Sequence, residues 1–183
     1  YYRNVFKPGL GFACPRYKDG SWKEEIDLLS THGQGFIEGN AWNYSFYVPQ
    51  APSDLIRLMG GNRSFINKLD SLFTMHLPDE FFAQTEDVTR EGLLGTYVHG
   101  NEPSHHIPYL YSWTTEPWKT QYWIREIMNR MYRNNIDGLC GNDDCGCNSC
   151  HGYDNNRCCG NNYNGIYKSG IYGRYCLCRY PYV

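Results

Sequence analysis

The stretch His99-Gly-Asn-Glu-Pro-Ser-His-His106 gathers three imidazoles, a carboxamide and a carboxylate into eight residues. Gly100 permits a turn and Pro103 fixes one, so these side chains can be aimed. Asn101 and Glu102 carry oxygens of the kind a hard cation takes, and the histidines suit hydrogen bonds to a hydroxyl-rich ligand. A polar loop capping a helix that starts near Ser104 accounts for the same residues without any ligand.

Two further polar clusters bear on that choice. Glu38, in Glu38-Gly-Asn-Ala-Trp42, suits the start of a helix, where the dipole stabilises a carboxylate by roughly 0.3–1 kcal/mol. Beside an aromatic neighbour it also suits a general acid with a raised pKa. Asn142, Asp143 and Asp144 form an acidic loop between Gly141 and Gly146. They read as an Asx-rich helix stop, or as oxygens for a divalent cation or a positioned water. The alternating spacing and closing Glu of an EF-hand are missing. Two carboxylates on either side of a sugar, one acid and one base, are the minimum for glycoside hydrolysis.

The elements that must hold these clusters are helical. Residues 1–37 are rich in turn signals such as Lys7-Pro-Gly9 and Asp19-Gly20. Trp42, Phe46 and Pro49 at i, i+4, i+7 predict a helix beginning close to Asn40, with a strand as the competing assignment. Ser53 or Asp54 caps a short helix carrying Leu55, Ile56, Leu58 and Met59, which Gly60-Gly61 halts. Asn62 or Ser64 caps the next, with Phe65, Leu69, Leu72 and Phe73 on one face. Pro103 suits the first turn of another helix through Leu110 and Trp113, which Pro108 kinks or shortens. The clearest helix runs from Glu116 to about Asn134, with Trp118, Tyr122, Ile124, Ile127, Met128, Met131 and Tyr132 as its apolar stripe. The fold class is all-α.

Composition sets the outer bounds. A chain of 183 residues has room for about one domain with a real core. A net charge of −2 without a basic run argues against a nucleic-acid binder. No apolar run reaches the roughly 18 residues of a membrane span. Tyr1-Tyr-Arg-Asn4 lacks the order of a signal peptide, so the start reads as mid-protein or as a mature end.

Of nine cysteines, Cys14 stands alone and eight lie between Cys140 and Cys178. From Cys147 the chain is dominated by Gly, Asn, Tyr and Cys, and helical periodicity stops. We therefore divide it into 1–146 and an irregular, unstructured tail, 147–183. Cys147-Asn-Ser-Cys-His151 fits a covalent haem pattern, and the tail cysteines also fit zinc or disulfides.

Several motifs then agree in order. Glu38-Gly-Asn-Ala-Trp-Asn-Tyr-Ser-Phe46, Gly100-Asn-Glu-Pro-Ser-His-His-Ile-Pro-Tyr-Leu-Tyr111, Pro117-Trp-Lys-Thr-Gln121 and Asp137-Gly-Leu-Cys-Gly-Asn-Asp-Asp-Cys-Gly146 resemble glycoside hydrolase family 92. These are calcium-dependent exo-α-mannosidases that invert at the anomeric carbon. The resemblance spans about residues 1–146. It implies part of an (α/α)6 barrel, to which family members add an N-terminal β-sandwich domain with no counterpart here.

The resemblance also implies roles. Glu38 matches the general acid and Asp144 the base, with Asp143 and Asn142 beside it. Members often carry an acid at the position of Asn142, whose carboxamide cannot act as a base. Asn101 and Glu102, with Asp144, match the Ca2+ region. Trp42, His99, His105 and His106 fall to the substrate pocket, His99 towards the leaving sugar. Gly100 stands where members acting on α-1,2 links typically have Glu, which leaves α-1,2 and α-1,3 preference both open. The implied partner is a mannose-containing oligosaccharide or glycoprotein glycan, and the implied location secreted or periplasmic. Where the family continues with a Gln-Met-Ser-Ala-Trp-like helix, this chain has Cys147-Asn-Ser-Cys-His-Gly152, as a shifted reading frame would give. The alternatives to a mannosidase are an inactive carbohydrate-binding remnant and a Cys-rich metal-binding protein. An incomplete barrel also leaves helix faces that need a partner.

Overall fold

The computed structural model of the chain describes residues 1–30, 34–36, 39–78, 93–132, 134, 166–168 and 175–177; for Glu102 and the last two segments it describes the backbone alone. Among the described residues there are four α-helices: α1 (Ala41–Ser45), α2 (Pro52–Leu58), α3 (Asn62–Thr74) and α4 (Trp118–Met131). Short 3-10 segments occupy Tyr2–Val5, Glu102–Ser104 and Ile107–Trp113. A hairpin of β1 (Leu93–Leu94) and β2 (Tyr97–Val98) stands between α3 and the polar octet. In the tail, β3 (Ile166–Lys168) and β4 (Tyr175–Leu177) pair antiparallel. The expected boundary at 146–147 and the tail cysteines other than Cys176, of which only the backbone is described, lie outside the described residues. No helix among the described residues is long and apolar enough to cross a membrane.

α1 begins where the spacing predicts, with Asn40 as its N-cap. α2 departs from expectation: neither Ser53 nor Asp54 caps it, and Pro52 takes the first turn after Ala51. Asp54 instead accepts hydrogen bonds from Tyr2 Oη at 2.5 Å and Arg3 Nε at 2.7 Å, which ties the amino-terminal segment to α2. Those donors hold its carboxyl below the usual range. α3 likewise lacks a side-chain cap. Gly61 stands at its start with φ +88°, and the Asn62 Oδ1 accepts from Thr115 N at 3.2 Å. Its predicted face is buried throughout, Phe65, Leu69 and Leu72 at 0% exposure and Phe73 at 3%.

The helix expected from Pro103 does not form as an α-helix. Pro108 has no N–H to bond back to Ser104, and its ring crowds that carbonyl, so the chain breaks and restarts as the tighter Ile107–Trp113 segment. α4 turns only part of its expected stripe inward, Ile127 and Met131, and adds Thr120 and Trp123 to them. Trp118, Tyr122 and Met128 of that stripe are 60%, 55% and 61% exposed. Trp123 stacks on Phe73 with centroids 4.5 Å apart and planes at 17°. That stack sets the rotation of the helix. Phe73 also meets Tyr97 at 4.9 Å, so one side chain joins α3, α4 and the hairpin.

The hairpin is an addition to the expected all-α array. Its two-residue turn, Gly95-Thr96, needs Gly95 for a φ of +63°; a Cβ there would stand 2.3 Å from the Leu72 carbonyl oxygen. Thr96 N donates to that same carbonyl at 2.8 Å. The turn is thereby seated on the last turns of α3.

Candidate active site

The start of α1 and the hairpin turn hold each other. Asn40 and Asn43 form a reciprocal cap: Asn43 N donates to Asn40 Oδ1 at 3.1 Å, and Asn40 N donates to Asn43 Oδ1 at 3.1 Å. Both side chains then reach outward. Asn43 Nδ2 donates to the Thr96 carbonyl at 2.7 Å, and Asn40 Nδ2 to Leu29 O at 3.0 Å and Thr96 Oγ1 at 3.5 Å. Asn40, Asn43 and Thr96 are all buried, where a satisfied polar network fixes position strongly. Gly39 passes close to this cap; a Cβ would stand 3.0 Å from Asn43 Oδ1 and 3.1 Å from the Tyr44 ring. Phe36 stacks on Tyr44 at 5.8 Å. Phe36 and Gly39 are thus placed; Ile37 and Glu38 lie outside the described residues.

From Thr96 the chain runs through Tyr97 into the octet. His99 is held at both ring nitrogens, with Nδ1 2.8 Å from Tyr97 Oη and Nε2 2.8 Å from Tyr132 Oη. Burial, and after it the neighbouring His105, lower its pKa to about 4, so the ring is neutral at ordinary pH. His105 is exposed and donates from Nε2 to the His99 carbonyl at 2.8 Å. His106 donates from Nε2 to the Phe46 carbonyl at 2.8 Å and packs edge-on to Tyr47. Burial lowers its pKa as well. These two histidines clamp the octet, one upon itself and the other against the end of α1.

Asn101 is 7% exposed, and its Oδ1 is fully buried. Its backbone carbonyl accepts from Ser104 N at 2.9 Å in the turn that contains Glu102. A buried carboxamide oxygen suits a hard cation. Among the described residues, however, no group of three or more His, Cys, Asp or Glu side chains could hold a metal ion. The Glu102 side chain, Asn142, Asp143 and Asp144 lie outside the described residues. Trp42 is half-buried and packs its ring edge-on to Phe12 at 4.7 Å, in the seam between the main core and a smaller amino-terminal cluster.

Five residues organise the site without having been singled out as site residues in the sequence: Asn40, Asn43, Thr96, Tyr97 and Tyr132. The Asn-x-x-Asn spacing at a helix start is a readable capping signal. Tyr132 carries a misleading one, because it falls in the apolar stripe. In the structure α4 ends at Met131, and Tyr132 leaves it in extended conformation at φ −121°, ψ 120°.

The model of the glycosyl hydrolase family 92 catalytic domain matches residues 1–151. A family GH92 α-mannosidase from Bacteroides thetaiotaomicron, solved with mannoimidazole, is 39% identical with a TM-score of 0.68, over 79% of this chain and 19% of that one. A family GH92 inverting mannosidase from the same organism is 34% identical with a TM-score of 0.62, over 78% of this chain and 20% of that one. An uncharacterised secreted glycosidase of Arthroderma benhamiae is 26% identical over 147 residues, 75% of this chain and 17% of that protein. The chain spans about a fifth of the length of these relatives. The likeness to the family's catalytic domain implies a helical fold of the (α/α)6-barrel type.

Proposed function

Because the chain belongs to glycosyl hydrolase family 92, we propose that it builds part of an α-mannosidase catalytic domain that removes terminal α-linked mannose, with inversion, from N-glycans or mannans. The observation that carries this reading is the bonding of Asn40 and Asn43 to Thr96. It sets the segment that follows Glu38 beside the strand that leads into His99 and Asn101. Those are two of the three clusters that such a site needs. The exposed Trp113, Trp118 and Tyr122 suit helix faces that the rest of a barrel covers.

In this reading Glu38 protonates the departing glycosidic oxygen. Asp144 takes a proton from a water that attacks the anomeric carbon from the opposite face. Inversion requires the two carboxyl groups to stand roughly 6.5–9.5 Å apart, with the water between. Asp143 supports the base, and Asn142 can orient a hydroxyl or water but accept no proton from it. His99 stays neutral and orients groups without supplying a proton.

Asn101, with the carboxylates of Glu102 and Asp144, would hold calcium. Bound there, the ion supplies a hard positive anchor for sugar hydroxyl oxygens. The family and the buried Asn101 oxygen support this assignment. Location outside the cell is proposed from the secreted relative.

The test is mannose release from α-linked mannobioses, with and without a calcium chelator. It is run on this chain alone and joined to the remainder of a family 92 enzyme. Release that the chelator abolishes is the expected result. Within the active form, Glu38→Gln should remove most of the rate on poor leaving groups and much less on an activated aryl mannoside. An unchanged rate would refute the assignment of the acid. Binding without release in both forms leaves a carbohydrate-binding remnant.

A further inference from the structure

The sequence Asn-x-Ser/Thr, with x other than Pro, occurs twice in the chain, at Asn43-Tyr-Ser45 and at Asn62-Arg-Ser64. It is the signal at which secreted proteins receive an N-linked glycan. The fold treats the two asparagines differently. Asn43 is 6% exposed, and its Nδ2, the atom that would carry the sugar, donates to the Thr96 carbonyl at 2.7 Å. Its Oδ1 closes the cap of α1. A pyranose on that nitrogen would stand where α1 meets the hairpin, and the two could not close over it.

Asn62 opens α3 and is half-buried. Its Oδ1 accepts from Thr115 N at 3.2 Å and from Thr115 Oγ1 at 3.1 Å. A backbone N–H only donates, so the oxygen of the carboxamide faces Thr115 and Nδ2 takes the other branch. That nitrogen makes no hydrogen bond among the described residues and keeps contact with solvent. The space beside it is open. A Cβ on Gly61 would meet nothing within 4 Å, and the Arg63 side chain is 80% exposed. A glycosylated carboxamide retains its oxygen and one N–H, so both bonds from Thr115 survive the modification.

We propose that Asn62 is an N-glycosylation site of this protein, and that Asn43, with the same signal, carries no glycan in the folded chain. The co-reactant is an oligosaccharide joined through its anomeric carbon to a lipid pyrophosphate, used by an oligosaccharide transferase. Nδ2 forms a bond to the anomeric carbon, the bond from that carbon to the pyrophosphate oxygen breaks with its electron pair on the pyrophosphate, and one amide proton passes to a base of the transferase. The proposal is independent of the mannoside reading. It requires only that the chain pass through a compartment holding that donor and transferase. Asn62 stands about 15 Å along α3 from Leu72, whose carbonyl seats the hairpin, so the glycan is at the far end of the helix from the candidate site.

The test is to express the 183-residue chain for secretion from a eukaryotic host. Enzymatic removal of N-glycans in water carrying heavy oxygen then leaves a labelled aspartate wherever an asparagine was modified, and peptide mass spectrometry reads it. Secreted protein should carry the label at position 62 and none at position 43. Any chain modified at Asn43 should be found only in the pool retained inside the cell. Ser64→Ala keeps Asn62 and its bonds to Thr115 but should abolish the glycan, whereas Ser64→Thr should keep it; Asn62→Gln provides a second loss of the acceptor. Asn62 unmodified in both pools, a glycan at Asn62 that persists in Ser64→Ala, or Asn43 modified in secreted protein that still unfolds cooperatively would each overturn the proposal.

Discussion

Asn43 and Thr96 are joined across 53 residues of sequence by a buried hydrogen bond, Nδ2 to backbone carbonyl, at 2.7 Å. The same Asn43 accepts from Asn40 N through its Oδ1, so one carboxamide closes a helix cap and fastens it to a hairpin. Asn43→Ala removes both bonds and leaves a buried carbonyl without its donor, at a cost of about 2 kcal/mol. Urea unfolding of the two proteins measures it. Asn43→Asp should recover only part of the loss, since a carboxylate keeps the cap acceptor but cannot donate to Thr96. A loss below about 0.5 kcal/mol for Asn43→Ala would show that the connection does not hold the site.

Gly95 offers a sharper steric test. Gly95 and Gly9 both have positive φ, +63° and +79°, but a Cβ at Gly9 meets nothing within 4 Å while one at Gly95 meets the Leu72 oxygen at 2.3 Å. Alanine at either position incurs the left-handed backbone cost of roughly 1–2 kcal/mol. Only Gly95→Ala adds a backbone clash, which must displace the hairpin from α3. Gly95→Ala should therefore lower the melting temperature clearly more than Gly9→Ala. Equal effects would mean that the turn does not sit on the end of α3.

Which face of α4 is buried can be read by substitution. Trp123, stacked on Phe73, should cost about 3–5 kcal/mol when truncated to Ala. Its neighbour Tyr122, 55% exposed, should cost within about 0.5 kcal/mol in the isolated chain. The reverse ranking would restore the apolar stripe that the sequence periodicity suggests.

The depth of that stripe in Trp, Tyr and Met is what misleads. The helices of α1, α2 and α3 follow from apolar spacing and from Gly60-Gly61, because a short amphipathic helix with one buried side announces itself. α4 has large apolar groups on two sides, so spacing does not tell which side the rest of the chain covers, and the Phe73–Trp123 stack decides it. The hairpin escapes notice because its strands are two residues each, too short for an alternating pattern. At the candidate site the motifs around Asn101 and His99 are visible as chemistry. The phenols on either side of His99 are not, because one lies two residues before it and the other 33 residues after, at the end of a helix.

His99 also makes stability depend on pH. Its folded pKa of about 4 lies below the ordinary value of 6.5, so between those values the unfolded chain takes up a proton that the folded chain refuses. Stability is then fully present above pH 6.5 and falls as pH drops towards about 4. The full loss is on the order of 3 kcal/mol. His99→Gln should flatten that part of the stability profile, measured by urea unfolding on either side of the ordinary histidine pKa. A profile unchanged by the substitution would mean that the ring titrates normally.

The central claim is that this chain contributes to inverting hydrolysis of α-mannosides. The most direct measurement is the anomeric configuration of the first sugar released from an α-linked mannobiose, followed by proton NMR before mutarotation. The chain joined to the remainder of a family 92 enzyme should release β-mannose first, and Glu38→Gln should suppress that release. Release of α-mannose first, or β-mannose release that is indifferent to Glu38→Gln, would contradict the account.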